Sequence, residues 1–196
     1  RKAFMIMFEM TTSSKGISAL QISKRYSISY NTALNFTHKI RGSMQSSNKY
    51  PLTGIVEIDE FVIGSKEKGK PGRSTETKKS KVVTGVELSE KKGIKRVYFQ
   101  IIQDYSAESL QVFFDEKISV DAQVVTDKWK GYIPLKEKYS IEQKLSSEGS
   151  SFPELHIIIH QVKSWIRTIF SGVSKKYIQN YLNEFAFRLN RSIYKE

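Results

Sequence analysis

The 196-residue sequence contains no cysteine. That excludes disulfides and cysteine-ligated zinc, and it fits a reducing interior. No apolar run approaches the roughly 18–20 residues that a membrane helix needs. With 39% hydrophobic residues and a mean hydropathy of −0.42, the composition leads one to expect a soluble, cytoplasmic protein with no membrane partner. A signal-peptide pattern is missing too: Arg1-Lys2 precede FMIMFEM, which is short and carries Glu9. Acids are scarce at one end only. Residues 1–50 hold eight Lys/Arg against one acid, whereas residues 51–196 hold 24 against 19. The net charge of +12 is thus weighted to the N-terminal quarter, and such a segment suggests phosphate backbones as the partner. The first residue is Arg, not Met, which points to a piece of a longer chain.

Three textures follow one another. Residues 1–45 read as all-helical, with FMIMFEM as a first helix and ISALQISKRY (17–26) as a second. ISYNTALNFTHKIRGSM (28–44) starts near Ser29, a good N-cap, and repeats apolar residues at Ala33, Phe36 and Ile40. Two short helices joined by a tight turn, the second polar and basic, read as a helix-turn-helix with 29–43 as recognition helix. Its polar face carries Asn31, Asn35, His38, Lys39 and Arg41 and no acid, which makes these the candidate DNA contacts. The competing reading is a three-helix cap that packs on the next domain.

SSNKYPLTG makes residues 46–53 a linker by composition. From 54 to 196 the texture is α/β. Strands are expected at 54–64, 81–88 and 94–102, the last two joined by the turn SEKKG. A helix at 107–118 follows, opened by Ser106, then a short strand 122–127 and helices at 153–170 and 174–194. The loop 65–81 has seven Lys/Arg and two acids, and is either a solvated connection or a segment that orders on DNA.

Two aspartates sit where strands deliver chemistry: Asp59 inside VEIDEF and Asp127 at the end of VVTD. An acid in an apolar strand is costly to bury without a cation or hydrogen-bond partner. Two such acids from adjacent strands can hold hard divalent cations, and a pair of metals can drive phosphodiester chemistry. Structural turns also use Asp at strand ends. The order is informative: three strands with the first acid on the first, a helix, a short strand ending in the second acid, and a late helix with a polar residue. That is the layout of an RNase H-like nuclease, a mixed sheet flanked by helices, whose third ligand comes from the late helix. Gln161 occupies that place.

The motifs VEIDEFVIGSKEKGK, KVVTGVE, VVTDKWKGY and HQVKSWIR…GVSKKYIQNYLNEFAFRLNRS resemble, in order, those of ISXO-type insertion-sequence transposases, a DDE-superfamily group. TTSSKGISALQISKRYSISYNTALNFTHKIRGSM is similar to the helix-turn-helix that precedes their catalytic domain. The resemblance implies Asp59 and Asp127 as the first two catalytic acids and metal ligands. Gln161 falls in the third slot, commonly Asn, and Lys163 matches the lysine two residues on. It further implies two Mg²⁺ or Mn²⁺ ions, double-stranded DNA (transposon ends and target) as partner, and a homodimer on paired ends. Water would cut at the element's ends, and the freed 3′-hydroxyl would join target DNA. The chain departs from the pattern at Gln161, at Ser27 (usually glycine), at Leu34 (usually tryptophan), and in lacking a Cys-rich zinc ribbon. Those departures motivate the alternative of a catalytically inactive, transposase-derived DNA-binding protein.

Helix geometry gives an independent expectation for Gln161. At about 100° per residue from Gln161, Ile157, Trp165, Ile158 and Ile169 fall between roughly −40° and 80°. Gln161 should then lie in an apolar stripe facing the sheet, where a metal, its water or a sheet carbonyl would satisfy its amide. Glu154, on the same face beside Pro153, is an acid that could substitute, or a helix-start residue favourable to the dipole. His156, His160, Lys163 and Arg167 form a separate basic stripe, so Lys163 and Arg167 join the candidate DNA contacts. Trp129 is placed either near DNA or against the sheet. Arg188 and Arg191 match the family's ending and are expected to face DNA.

Overall fold

The structure is a computed structural model describing residues 1–13, 15–64, 79–90, 93–145, 152–170 and 172–192. Three helices open it: α1 (Lys2–Thr12), α2 (Ala19–Tyr26) and α3 (Tyr30–Ser43). Ser18 begins α2 with a full capping box, in which its hydroxyl takes the Gln21 N–H and the Gln21 side chain takes the Ser18 N–H. The helix stops at Ser27, which is left-handed (φ 48°, ψ 57°), and Ser29 caps α3 by accepting from Thr32 N. Ile6, Met10, Ile22, Ala33 and Ile40 close a small core of their own.

Five strands follow: β1 (Ile55–Ile63), β2 (Ser80–Leu88), β3 (Ile94–Ile102), β4 (Gln123–Thr126) and β5 (Ser140–Gln143). Their order in the sheet is β3-β2-β1-β4-β5. β2 runs antiparallel to both neighbours, while β1, β4 and β5 are parallel. This is the RNase H-like mixed sheet expected from the order of the motifs. The helices α4 (Ala107–Lys117), α5 (Pro153–Ile169) and α6 (Ile178–Ser192) cover it. Period-two alternation divides the core in two. Phe61, Val82, Val97 and Phe99 meet α5 and α6 through Leu155, Ile158, Val162 and Leu182. Val56, Ile58, Val83, Tyr98 and Val124 meet α4 through Leu110, Phe113 and Phe114. β5 is not anticipated from sequence, because SIEQ is short, polar and an edge strand. Among the described residues no helix is long and apolar enough to cross a membrane.

The three-helix unit is fixed to the sheet domain through α6. Arg41 Nε donates to Glu184 Oε2 at 2.6 Å, with the side chains 1% and 0% exposed. The other Glu184 oxygen lies 2.9 Å from Arg188, which also donates to the Met10 and Ser13 carbonyls of the N-terminal unit. Trp165 Nε1 on α5 donates to Lys15 O at 2.9 Å.

Candidate active site

Asp59 points to the α5 side of the sheet, in step with Phe61 and Ile63. The parallel ladder between β1 and β4 runs from Ile55↔Gln123 to Ile58↔Thr126. The next two residues are Asp59 and Asp127, so the two acids directly follow the last pair of neighbouring parallel strands, which are spaced about 4.8 Å apart. Asp59 Oδ1 accepts from Glu60 N at 2.8 Å, and Asp127 Oδ1 accepts from Trp129 N at 3.0 Å.

From above, α5 turns His156 to this pair, with Nε2 3.6 Å from Asp59 Oδ2. Lys163, two turns along, lies half-buried over the Phe61 ring at 5.1 Å. Burial lowers its pKa and nearby Lys79 adds to that, while Asp59 pulls it back up. Glu57, two residues before Asp59 on the same face, is buried and accepts from Leu155 N at the start of α5, 3.4 Å away. Burial raises its pKa, and the Leu155 N–H opposes that rise. On the other face the buried Tyr132 hydroxyl donates to Glu60. Its pKa stands well above the ordinary value because of burial, then of Glu60, Asp59 and Asp127.

The Asp59 and Asp127 carboxylates are hard oxygen donors suited to Mg²⁺ or Mn²⁺, cations that complete their shells with water and substrate phosphates. Among the described residues no three His, Asp or Glu side chains converge closely enough to hold a metal by themselves.

Gln161 corrects the helical-wheel expectation, for it is exposed. The buried side of α5 is Leu155, Ile158, Ile159, Val162 and Ile166, a stripe centred roughly 115° from Gln161. Gln161 also lies about 140° around the helix from His156 and about 160° from Lys163, turned away from Asp59. The sequence HIIIHQVKSWI is apolar nearly all round, so more than one stripe can be drawn on it; the sheet selects the one that seats Leu155 and Val162. His156 was assigned to a DNA-facing stripe, and its proximity to Asp59 became visible only with the β1–α5 packing.

On α3, Asn31, Asn35 and Lys39 are exposed along one stripe, as expected of groups available to DNA. His38 and Arg41 are not. His38 stacks on Tyr177 at 3.7 Å, with a pKa lowered by burial and then by Arg41. Arg41 is enclosed by Glu184 and the rings of Tyr181 and Phe170, 4.2 and 5.1 Å away. Both look like DNA contacts in the sequence because their partners, Tyr177 and Glu184, lie far along the chain. Arg188 is corrected likewise, whereas Arg191 is exposed, over Phe187. Arg167 is exposed on α5. Trp129 packs against the α4-side core with Nε1 donating to Tyr105 O. Most of the basic loop lies outside the described residues.

Residues 51–190 match the family model described as the ISXO2-like transposase domain. Among solved structures, the Mos1 strand transfer complex is 11% identical, with 100% of this chain and 78% of that chain covered at a TM-score of 0.34. The Mos1 mariner paired end complex with Mn is 11% identical over 95% of this chain and 76% of that chain, at a TM-score of 0.33. No curated protein matches.

Proposed function

Because this chain belongs to the ISXO2-like transposase family, we propose that it cleaves the ends of an insertion sequence and transfers them to target DNA. The supporting observation is that Asp59 and Asp127 directly follow the last pair of the β1–β4 ladder, with α5 bringing His156 to Asp59. These two carboxylates are the proposed ligands of Mg²⁺ or Mn²⁺. Bound there, such cations would supply an activated water and stabilise the leaving oxygen of the phosphodiester.

The protein's own groups do the rest. His156 flanks Asp59 and is the α5 group we assign to the reaction centre. Lys163, held half-buried beside Asp59, offers positive charge to a phosphate near the acids. Residues 1–45 serve as the helix-turn-helix that reads DNA through Asn31, Asn35 and Lys39; 54–196 form the catalytic domain, with Arg167 on its DNA side and a homodimer bridging paired ends. Asp127→Ala should abolish end cleavage while leaving DNA binding intact; cleavage retained by that variant refutes the assignment. His156→Ala should cost more activity than Gln161→Ala, and the reverse order would return Gln161 to the third position.

The exposed, outward position of Gln161 favours one second reading, a DNA-binding derivative with its chemistry lost. On that reading the unaltered protein binds DNA without cleaving it, and cleavage by the unaltered protein refutes it.

A further inference from the structure

Asp127 belongs to a turn that begins where the sheet stops. The β4–β5 ladder ends at the pair Thr126↔Gln143, with Lys144 N donating to Thr126 O at 2.9 Å. Residues 127–129 follow as a bend, and the Gln143 side chain is bonded to their main chain. Its amide nitrogen Nε2 donates to Asp127 O at 3.0 Å and to Trp129 O at 2.9 Å, so each of its two protons has an acceptor. Trp129 N in turn donates to the Asp127 carboxylate. On the far side, Trp129 Nε1 is tied to Tyr105 O at 2.8 Å. A Cβ on Gly131 would fall 2.6 Å from that indole nitrogen, so the turn has no room to re-form around a substituted residue.

We propose that Gln143 is a positioning residue for the reaction, fixing the Asp127 carboxylate through the main chain of Asp127 and Trp129. This deepens the functional reading above and depends on it. Gln143 holds the carbonyls of the two peptides that flank the Lys128–Trp129 peptide, and the N–H of that middle peptide donates to Asp127 Oδ1. Gln143 is two residues from Ile141, which packs with the α4-side core, so it reaches the turn from the α4 side of the sheet. The role also accounts for β5, a four-residue polar strand that adds only Ile141 to the core: it carries the amide.

The test compares the full chain with Gln143→Met, which keeps the length and loses both donors, and with Gln143→Lys, which restores N–H donors. Four quantities are read: cleavage rate on a pre-bound element-end duplex, half-saturating Mn²⁺, DNA affinity with melting temperature, and hydrogen exchange at the Trp129 amide. Expected for Gln143→Met is a fall in rate or Mn²⁺ affinity on the order of 10–100-fold, the usual cost of losing a group that orients a ligand. DNA affinity and melting temperature should hardly move, exchange at Trp129 should quicken, and Gln143→Lys should recover part of the loss. Wild-type rate and Mn²⁺ requirement in Gln143→Met overturn the inference alone. So does a loss that merely follows melting temperature. A wild-type chain that neither cleaves nor binds Mn²⁺ overturns the functional reading, and this inference with it.

Discussion

Replacing Glu184 by Ala should be among the most destabilising single changes in the molecule. Its carboxylate is fully buried and pairs with both Arg41, 1% exposed, and Arg188, 11% exposed. Removing it leaves two guanidinium groups facing each other across a buried gap. The aromatic faces of Tyr181 and Phe170 near Arg41 compensate only in part, at about 0.5–2 kcal/mol for such contacts. Breaking a buried pair by deleting one partner costs about 3–5 kcal/mol. A domain's net stability is about 5–15 kcal/mol, so the loss is a large share of it. With a urea m-value near the upper end of the usual range, about 3 kcal/mol/M, the midpoint should fall by about 1–1.7 M. Circular dichroism followed against urea measures that shift directly. Because the triad joins α3 to α6, near-ultraviolet signals from Trp165 and the Tyr177–His38 stack should change in the same transition. A midpoint shift below about 0.3 M would refute the reasoning, showing that the arginines find water or other partners at small cost.

Other changes separate the roles assigned above. Ser27→Gly should stabilise the protein by about 0.5–1 kcal/mol in urea unfolding, since a left-handed non-glycine residue is strained there. Glu57 has a raised pKa, so the folded state holds its proton more tightly, and its contribution to stability declines as pH climbs from about 4.5 through the folded value. Hence the stability difference between Glu57→Gln and wild type should grow with pH over that window; a difference independent of pH would contradict the buried placement. Lys39→Ala should weaken DNA binding and reduce the salt slope by about one unit, whereas His38→Ala should lower stability and leave the slope unchanged. Equal salt effects for the two would place His38 on the DNA side after all.

The parts legible in the sequence are those set by local pattern. Asp59 and Asp127 stand out as acids in or just after an apolar strand, and the β1–β4 pairing brings both to one end of that ladder. Ser29 and Ser106 both lie directly before a helical run, and each caps its helix. What was misread depended on partners distant in the chain. Arg41 looks like a recognition-helix cation until Glu184, 143 residues away, is brought against it. Gln161 failed for a different reason: a helix with isoleucines at 157, 158 and 159 and Val162, Trp165 and Ile166 beyond offers several apolar faces, and only docking on β1 and β2 chooses among them. Gln143 left no signal, because its partners are two backbone carbonyls of a turn.

The central claim is that Asp59 and Asp127 form a working divalent-metal site. Titration calorimetry with Mn²⁺ in the presence of duplex DNA, on the unaltered protein and on Asp59→Ala, tests it most directly. The account predicts saturable Mn²⁺ binding by the unaltered protein that is lost in Asp59→Ala, with both still bound to DNA. If neither protein binds Mn²⁺ while both bind DNA, the two acids are a silenced site and the chain acts as a DNA-binding protein alone.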